Sequence, residues 1–200
     1  MMGMEKGVLA VLGGLVLAEL AGSVYLYNRT MIRHKGSANN KRTIKMSGTD
    51  WERYMPLIEE RKANMLAAPH EDVYQTSGDG LKLHATYFPV GNEKKIVLCF
   101  HGYTSHGMSD YIALSDYYMK NGYSMLLVDA RAHGGSEGTF IGFGCLDRWD
   151  ARSWMDWIID RCGESVQIVL HGTSMGGATV LMCTGMELPE QVISIFHVII

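Results

Sequence analysis

No two cysteines stand at CxxC spacing, and the four present (Cys99, Cys145, Cys162, Cys183) show no metal-ligand spacing. The pattern argues against a structural zinc site and a redox dithiol. Three of the four lie in or beside apolar runs, so buried free thiols are expected, and the count gives no vote for an oxidising compartment. Strong charge is also lacking. The net charge is −3, which gives no electrostatic case for a nucleic-acid partner. Internal repeats and low-complexity tracts are absent, and nothing calls for a cofactor. What remains is 200 residues, 47% hydrophobic and 20% charged. That suffices for one domain with a sizeable core and a short appendage.

The appendage is N-terminal. Gly7 to Tyr27 is an apolar run with one charge, Glu19. As a helix it rises about 30 Å, enough to cross the hydrocarbon core of a bilayer. Tyr25 and Tyr27 close it where amphipathic rings suit the interface, and Arg29, Arg33 and Lys35 follow. Ala21-Gly-Ser23 could serve as a signal-peptidase site. The run is longer than a secretory apolar region and its leading segment is barely positive, so an uncleaved, single-pass anchor in the cell membrane is expected. The basic flank (Arg29, Arg33, Lys35, Lys41, Arg42, Lys45) places the rest of the chain in the cytoplasm by a small margin over Lys6 and the amino terminus, so the side of the membrane stays open.

Residues 1–35 are therefore read as anchor and basic flank, 36–69 as linker and helix, and 70–200 as the main domain. Gly36, Ser37, Asn39 and Asn40 mark the linker. Thr49-Asp-Trp-Glu52 has capping-box spacing ahead of a helix from about Asp50 to Leu66; Pro56 breaks the first part of it, so either one helix or two short ones fit. Val73–Thr76 and Leu81–Phe88, joined by Ser77-Gly-Asp-Gly80, read as a hairpin. Ile96–Phe100, Tyr123–Val128 and Val166–Leu170 are continuous apolar runs, as strands buried on both faces require. Helical stretches over about 109–121, 146–161 and 175–186 follow them in turn, and Val192–Ile200 is the last apolar run. Strands alternating with helices predict a doubly wound, mostly parallel α/β sheet.

Gly172-Thr-Ser-Met-Gly176 matches G-x-S-x-G between the third buried strand and the next helix. There a chain that turns sharply holds a serine exposed at the end of the strand, beside the N–H groups of a helix start. Ser174 is thereby expected to be a nucleophile, with the flanking Gly172 and Gly176 relieving the crowding of the turn. Acyl transfer needs two N–H donors for the oxyanion. Met175, just after the serine, and Tyr103, in the His101-Gly102-Tyr103 loop after strand Ile96–Phe100, are the candidates. His101 is expected to brace that loop and not to act as a base. Asp129, His133 and Glu137 could be imagined as metal ligands, but loop bracing is the expected role and no metal is assigned.

Ser77-Gly-Asp-Gly-Leu81, His101-Gly-Tyr103, Asp129-Ala-Arg-Ala-His-Gly-Gly-Ser-Glu-Gly138 and His171-Gly-Thr-Ser-Met-Gly176 together resemble the α/β-hydrolase superfamily. The resemblance is to its serine aminopeptidase-like branch, among membrane-associated hydrolases of Gram-positive bacteria, over about residues 70–195. Ala132 stands where that loop usually has glycine. The resemblance implies a serine hydrolase acting on a small-molecule or peptide acyl substrate (ester, thioester or amide), with acid and then histidine base after the serine. After Ser174, however, no aspartate occurs, only Glu187 and Glu190, and the one histidine, His197, falls in an apolar strand expected to be buried. The chain is accordingly read as a hydrolase truncated after about the sixth strand and inactive by itself. The alternative is a non-catalytic, membrane-anchored interaction scaffold.

Overall fold

The computed structural model describes residues 2–34, 50, 52–91 and 93–198. Helix α1 (Met2–Met31) contains the apolar run, and its Leu9–Met31 portion, 23 residues, is long and apolar enough to cross a membrane. The domain follows as α2 (Met55–Ala67), β1 (Glu71–Thr76), β2 (Lys82–Phe88), β3 (Lys95–Phe100), α3 (Gly107–Lys120), β4 (Ser124–Asp129), α4 (Asp147–Cys162), β5 (Gln167–Thr173), α5 (Met175–Cys183) and β6 (Val192–Val198). The six strands form one sheet in the order β1-β2-β4-β3-β5-β6. β1 and β2 pair antiparallel, β2 joins β4 antiparallel, and β4, β3, β5 and β6 run parallel.

Alternate residues of each strand serve opposite faces. Ile96, Leu98, Phe100, Leu126, Val128, Ile168 and Leu170 meet Trp154, Met155 and Ile158 of α4 and Val180 and Cys183 of α5. Val97, Cys99, Met125, Leu127 and Val169 meet Met65 of α2 and Tyr111 and Tyr118 of α3. Helices on both faces explain why β3 and β4 read as unbroken apolar runs. α3 begins at Gly107 because a Cβ there would stand 2.9 Å from the backbone of Leu127. The sheet and this helix touch backbone to backbone at that point.

One buried cation ties three segments together. Arg131 follows β4 and is 5% exposed. Its Nε and one terminal amine donate to Asp150 of α4 at 2.7 Å each, while both terminal amines reach Asp79 in the β1–β2 turn. Ser77 Oγ donates to the same Asp79 carboxylate, and the Leu81 N–H donates to Ser77 Oγ. Burial pushes the Asp150 carboxyl up despite its cation, whereas Asp79, held by Arg131 and Ser77, is lowered to about 2.

Several expectations change. The first domain helix begins at Met55, after a turn over 52–54, with Pro56 in its first turn, where the missing N–H costs no bond. It is one helix and not two, and Glu52 lies ahead of it. Thr49 and Trp51 of the expected capping box fall outside the described residues, as do Lys35, Lys41, Arg42, Lys45, the 36–48 linker and Ile199–Ile200. The helix after the serine is shorter than the pattern suggests, ending at Cys183. Only Cys99 and Cys183 are buried; Cys162 is half-buried and Cys145 exposed, and all four are free thiols. His197 is exposed, not buried, because β6 has a neighbour on one side alone among the described residues.

Removing one partner of a buried ion pair leaves the other charge stranded, at about 3–5 kcal/mol. Arg131→Ala is expected to lose about that much in denaturant unfolding of the detergent-solubilised chain. Adding Asp150→Ala should recover part of the loss, because the Asp150 carboxylate is then no longer stranded.

Candidate active site

Ser174 caps α5 with φ 51° and ψ −111°, a region that costs a side-chain-bearing residue about 1–3 kcal/mol and persists only when its surroundings over-determine it. Those surroundings are clear. A Cβ on Gly172 would fall 2.1 Å from the Gly176 carbonyl oxygen, and one on Gly176 would fall 1.9 Å from that of Phe100. Strand β5, the turn and the end of β3 are in backbone contact, and only glycine fits on either side of the serine. The Ser174 N–H donates to the Val198 oxygen of β6 at 2.7 Å, and its carbonyl accepts from Ala178 in α5. The strained residue is pinned at both ends. α5 starts at Met175, so the N–H groups of its first turn have no partner within the helix.

The β3–α3 loop lies against this turn. An added Cβ on Gly102 would stand 3.4 Å from Ser174 Cβ. The Gly102 N–H donates to Asp110 Oδ2 and the Thr104 N–H to His133 Nε2. The Tyr103 N–H sits between those two committed donors and bonds to nothing among the described residues. His101 is fully buried; its Nδ1 donates to the Gly102 oxygen and its Nε2 accepts from the Ala130 N–H. His133 donates from Nδ1 to the Arg131 oxygen, and its ring packs edge-on against His101 at 4.9 Å. Burial lowers both rings, His101 to about 4, so each is a neutral imidazole with a fixed tautomer holding two loops in register.

Asp129 organises the other side of the loop pair. It accepts from His84 Nδ1 at 2.8 Å, from the Gly135 N–H at 2.8 Å and from the Gly107 N–H at 3.2 Å. Burial alone would raise this carboxyl, but His84 and the two amides outweigh it and hold it at about 2. Glu137 accepts from the Lys82 N–H. Asp129, His133 and Glu137 thus spend their atoms on different loops, and no group of three potential metal ligands occurs among the described residues. The role of His84 was not legible in the sequence. It faces Asp129 because β2 pairs with β4, which is not its neighbour in the chain.

No described histidine hydrogen-bonds to Ser174. His34, His70, His84, His101, His133 and His171 have other partners. His197 pairs in register with Gly172, and its Cβ approaches the first turn of α5. Serine, oxyanion candidates and loop braces are brought together; an acid–base pair is not.

The sequence model described as serine aminopeptidase, S33, matches residues 91–195, from the turn before β3 to the middle of β6. The chain belongs to this family. Its fold is that of the α/β hydrolases. It is similar to the solved Pyrococcus furiosus esterase Pf2001, at 30% identity and a TM-score of 0.54, over 60% of this chain and 47% of that one. It is 24% identical over 181 residues to Bacillus subtilis YqkD, covering 90% of this chain and 56% of that protein. An 84-residue stretch, 42% of the chain, is 34% identical to 2% of the multifunctional-autoprocessing repeats-in-toxin protein of Vibrio cholerae. The S33-family chain thus spans little more than half of YqkD and less than half of the esterase.

The His84–Asp129 pair has a measurable pH signature. The hydrogen bond that His84 donates to Asp129 raises His84 above 6.5. Its contribution to stability is therefore complete below the unfolded-state value near 6.5 and fades as pH rises through the higher folded-state value. His101, His133 and His171, lowered by burial, act in the opposite sense, destabilising the domain as pH falls below 6.5. The difference in melting temperature between wild type and His84→Gln cancels those three. It is expected to be larger at pH 5.5 than at pH 8.5; differential scanning fluorimetry at both values checks it.

Proposed function

We propose that this chain carries the nucleophilic half of a membrane-anchored serine hydrolase. Ser174 attacks the carbonyl of an ester, thioester or amide, and the Tyr103 and Met175 N–H groups receive the oxyanion. The supporting observation is the strained serine at positive φ between two glycines that no other residue could replace, at the N-terminus of α5 and against Gly102. Strain retained at such a cost is a mark of function. Two preorganised N–H donors then stabilise charge that develops only in the transition state. The 30% identity to an esterase favours an ester among the three bond types.

The base and its carboxylate are assigned to none of the described residues. Without them the serine is activated only by its position, and catalysis is confined to the residual level that an oxyanion hole and binding can supply, about 10³–10⁴-fold over water. The apolar α1 is read as the anchor. Its last turn is bonded to the domain through Thr30 and Met31.

A fluorophosphonate probe applied to membranes expressing the chain tests the reading. Slow labelling that disappears in Ser174→Ala and accelerates with added imidazole, which replaces a missing base, is expected. Labelling that survives Ser174→Ala would refute the nucleophile. Labelling as fast as that of a complete serine hydrolase without imidazole would show that the chain holds its own base, and His197→Ala would then identify or eliminate the exposed histidine.

A further inference from the structure

The end of α1 is fastened to the loops around Ser174, which links the anchor to the site. Ile32 forms an antiparallel bridge with Phe140. The Arg33 N–H donates to the Thr139 oxygen, and the Ile141 N–H donates to the Met31 oxygen, both at 2.7 Å. The Arg33 guanidinium donates to the carbonyls of Ser136 and Gly134. Higher on the helix, the Tyr27 and Phe140 rings stack at 6.3 Å. Tyr103, the oxyanion candidate, donates its hydroxyl to the Thr30 oxygen at 3.0 Å while its ring stacks on Phe143 at 5.2 Å. Anchor, oxyanion loop and the 139–146 loop form one contiguous packing unit.

From these contacts we infer that the mouth of the Ser174 site rests on the bilayer, with residues 139–149 as the membrane-contacting surface; the inference depends on α1 being the anchor proposed above. Tyr25 and Tyr27 end the apolar span, where aromatic rings mark the interface. Phe140, stacked on Tyr27, therefore lies at the depth of that belt, and Thr30, one turn further on, sets Tyr103 just outside it. The loop is suited to that position. Thr139-Phe-Ile-Gly-Phe-Gly-Cys-Leu146 contains no charge, and Leu146 at its end and Trp149 in the first turn of α4 are exposed. Arg148 lies over the Trp149 ring, at 5.3 Å from its centroid. A tryptophan beside an arginine matches the boundary between acyl chains and anionic headgroups. With α1 fixing the distance, the domain cannot turn this face away from the membrane. Acyl donors would then reach Ser174 from the lipid side, which narrows the substrate class to esters carried in the bilayer.

Cys145 provides the probe site, since it is exposed within this segment. Ser165, exposed in the turn before β5, lies at the opposite end of the parallel strands and supplies the control. The full chain, with Cys162→Ser, is labelled at Cys145 with the fluorophore NBD and reconstituted in vesicles containing nitroxide lipids. The control carries Ser165→Cys with Cys145→Ser and Cys162→Ser. Cys99 and Cys183 are buried, so their failure to label verifies the fold in both samples. Roughly a twofold loss of emission at Cys145, as expected for a group seated at headgroup depth, with little loss at Ser165→Cys, supports the surface. Equal quenching at the two positions, or none at Cys145, overturns it. Carbonate extraction of the same vesicles separates the two levels of the argument. A chain that stays in the membrane with Cys145 unquenched disproves only the surface, whereas a chain that washes off disproves the anchor and the surface together.

Discussion

The backbone of Gly176 lies so close to the Phe100 carbonyl that a single added carbon would overlap it at 1.9 Å. Much of the candidate site follows from that contact. It forces the chain leaving β5 to turn at once, which drives Ser174 to positive φ and brings Gly172 against Gly176. It also sets the end of β3 beside the start of α5, so that the loop carrying Gly102 and Tyr103 is packed against the serine. The strain at Ser174 is small beside what would be lost by opening a seam shared by β3, β5 and α5, each with its own buried face. The serine's geometry is thus enforced by packing and needs no interaction of its own side chain to hold it.

The polar residues around that seam are spent on holding loops. His101 and His133 are buried and neutral, and each uses one nitrogen as donor and the other as acceptor, so a change of tautomer would cost both bonds. Asp129 collects one imidazole and two amides, and Arg131 gathers two carboxylates from distant elements. Asp129 at the end of β4 and Arg131 just after it therefore fix the hairpin, α3 and α4 relative to one another. This economy explains why His101 and His133 are unavailable for proton transfer: their ring nitrogens are already committed to backbone groups.

The sheet order was only partly legible from the residues. The buried runs at 96–100 and 166–170 and the glycine-flanked serine could be read because each signal is local: hydrophobic continuity for a strand covered on both sides, paired glycines for a turn without room. Arg131 with Asp79 and Asp150, and His84 with Asp129, could not. Those pairs depend on β2 lying beside β4, and no local period encodes which strands are neighbours. His197 was misread for the same reason. Its apolar setting, Ile195-Phe-His-Val198, suits a central strand, yet burial depends on a neighbour that the residues themselves do not specify, and among the described residues β6 is at the edge. The stop of α5 at Cys183 was overrun because apolar residues continue to Met186 with no proline before Pro189.

The edge position of β6 also bears on the serine. Ile193, Phe196 and Val198 are each about half exposed there, a long apolar edge of the kind that invites further strand pairing. Val198 is also the residue whose carbonyl accepts the Ser174 N–H. A free edge strand frays more readily than a central one, because its backbone bonds on one side alone hold it. Loosening β6 would release the N-terminal restraint on the strained serine while leaving the glycine seam intact. Any segment that pairs with β6, whether more of the same sheet or another chain, would stiffen Ser174 without touching its side chain. Completeness of the sheet and the restraint on Ser174 are therefore coupled through one hydrogen bond.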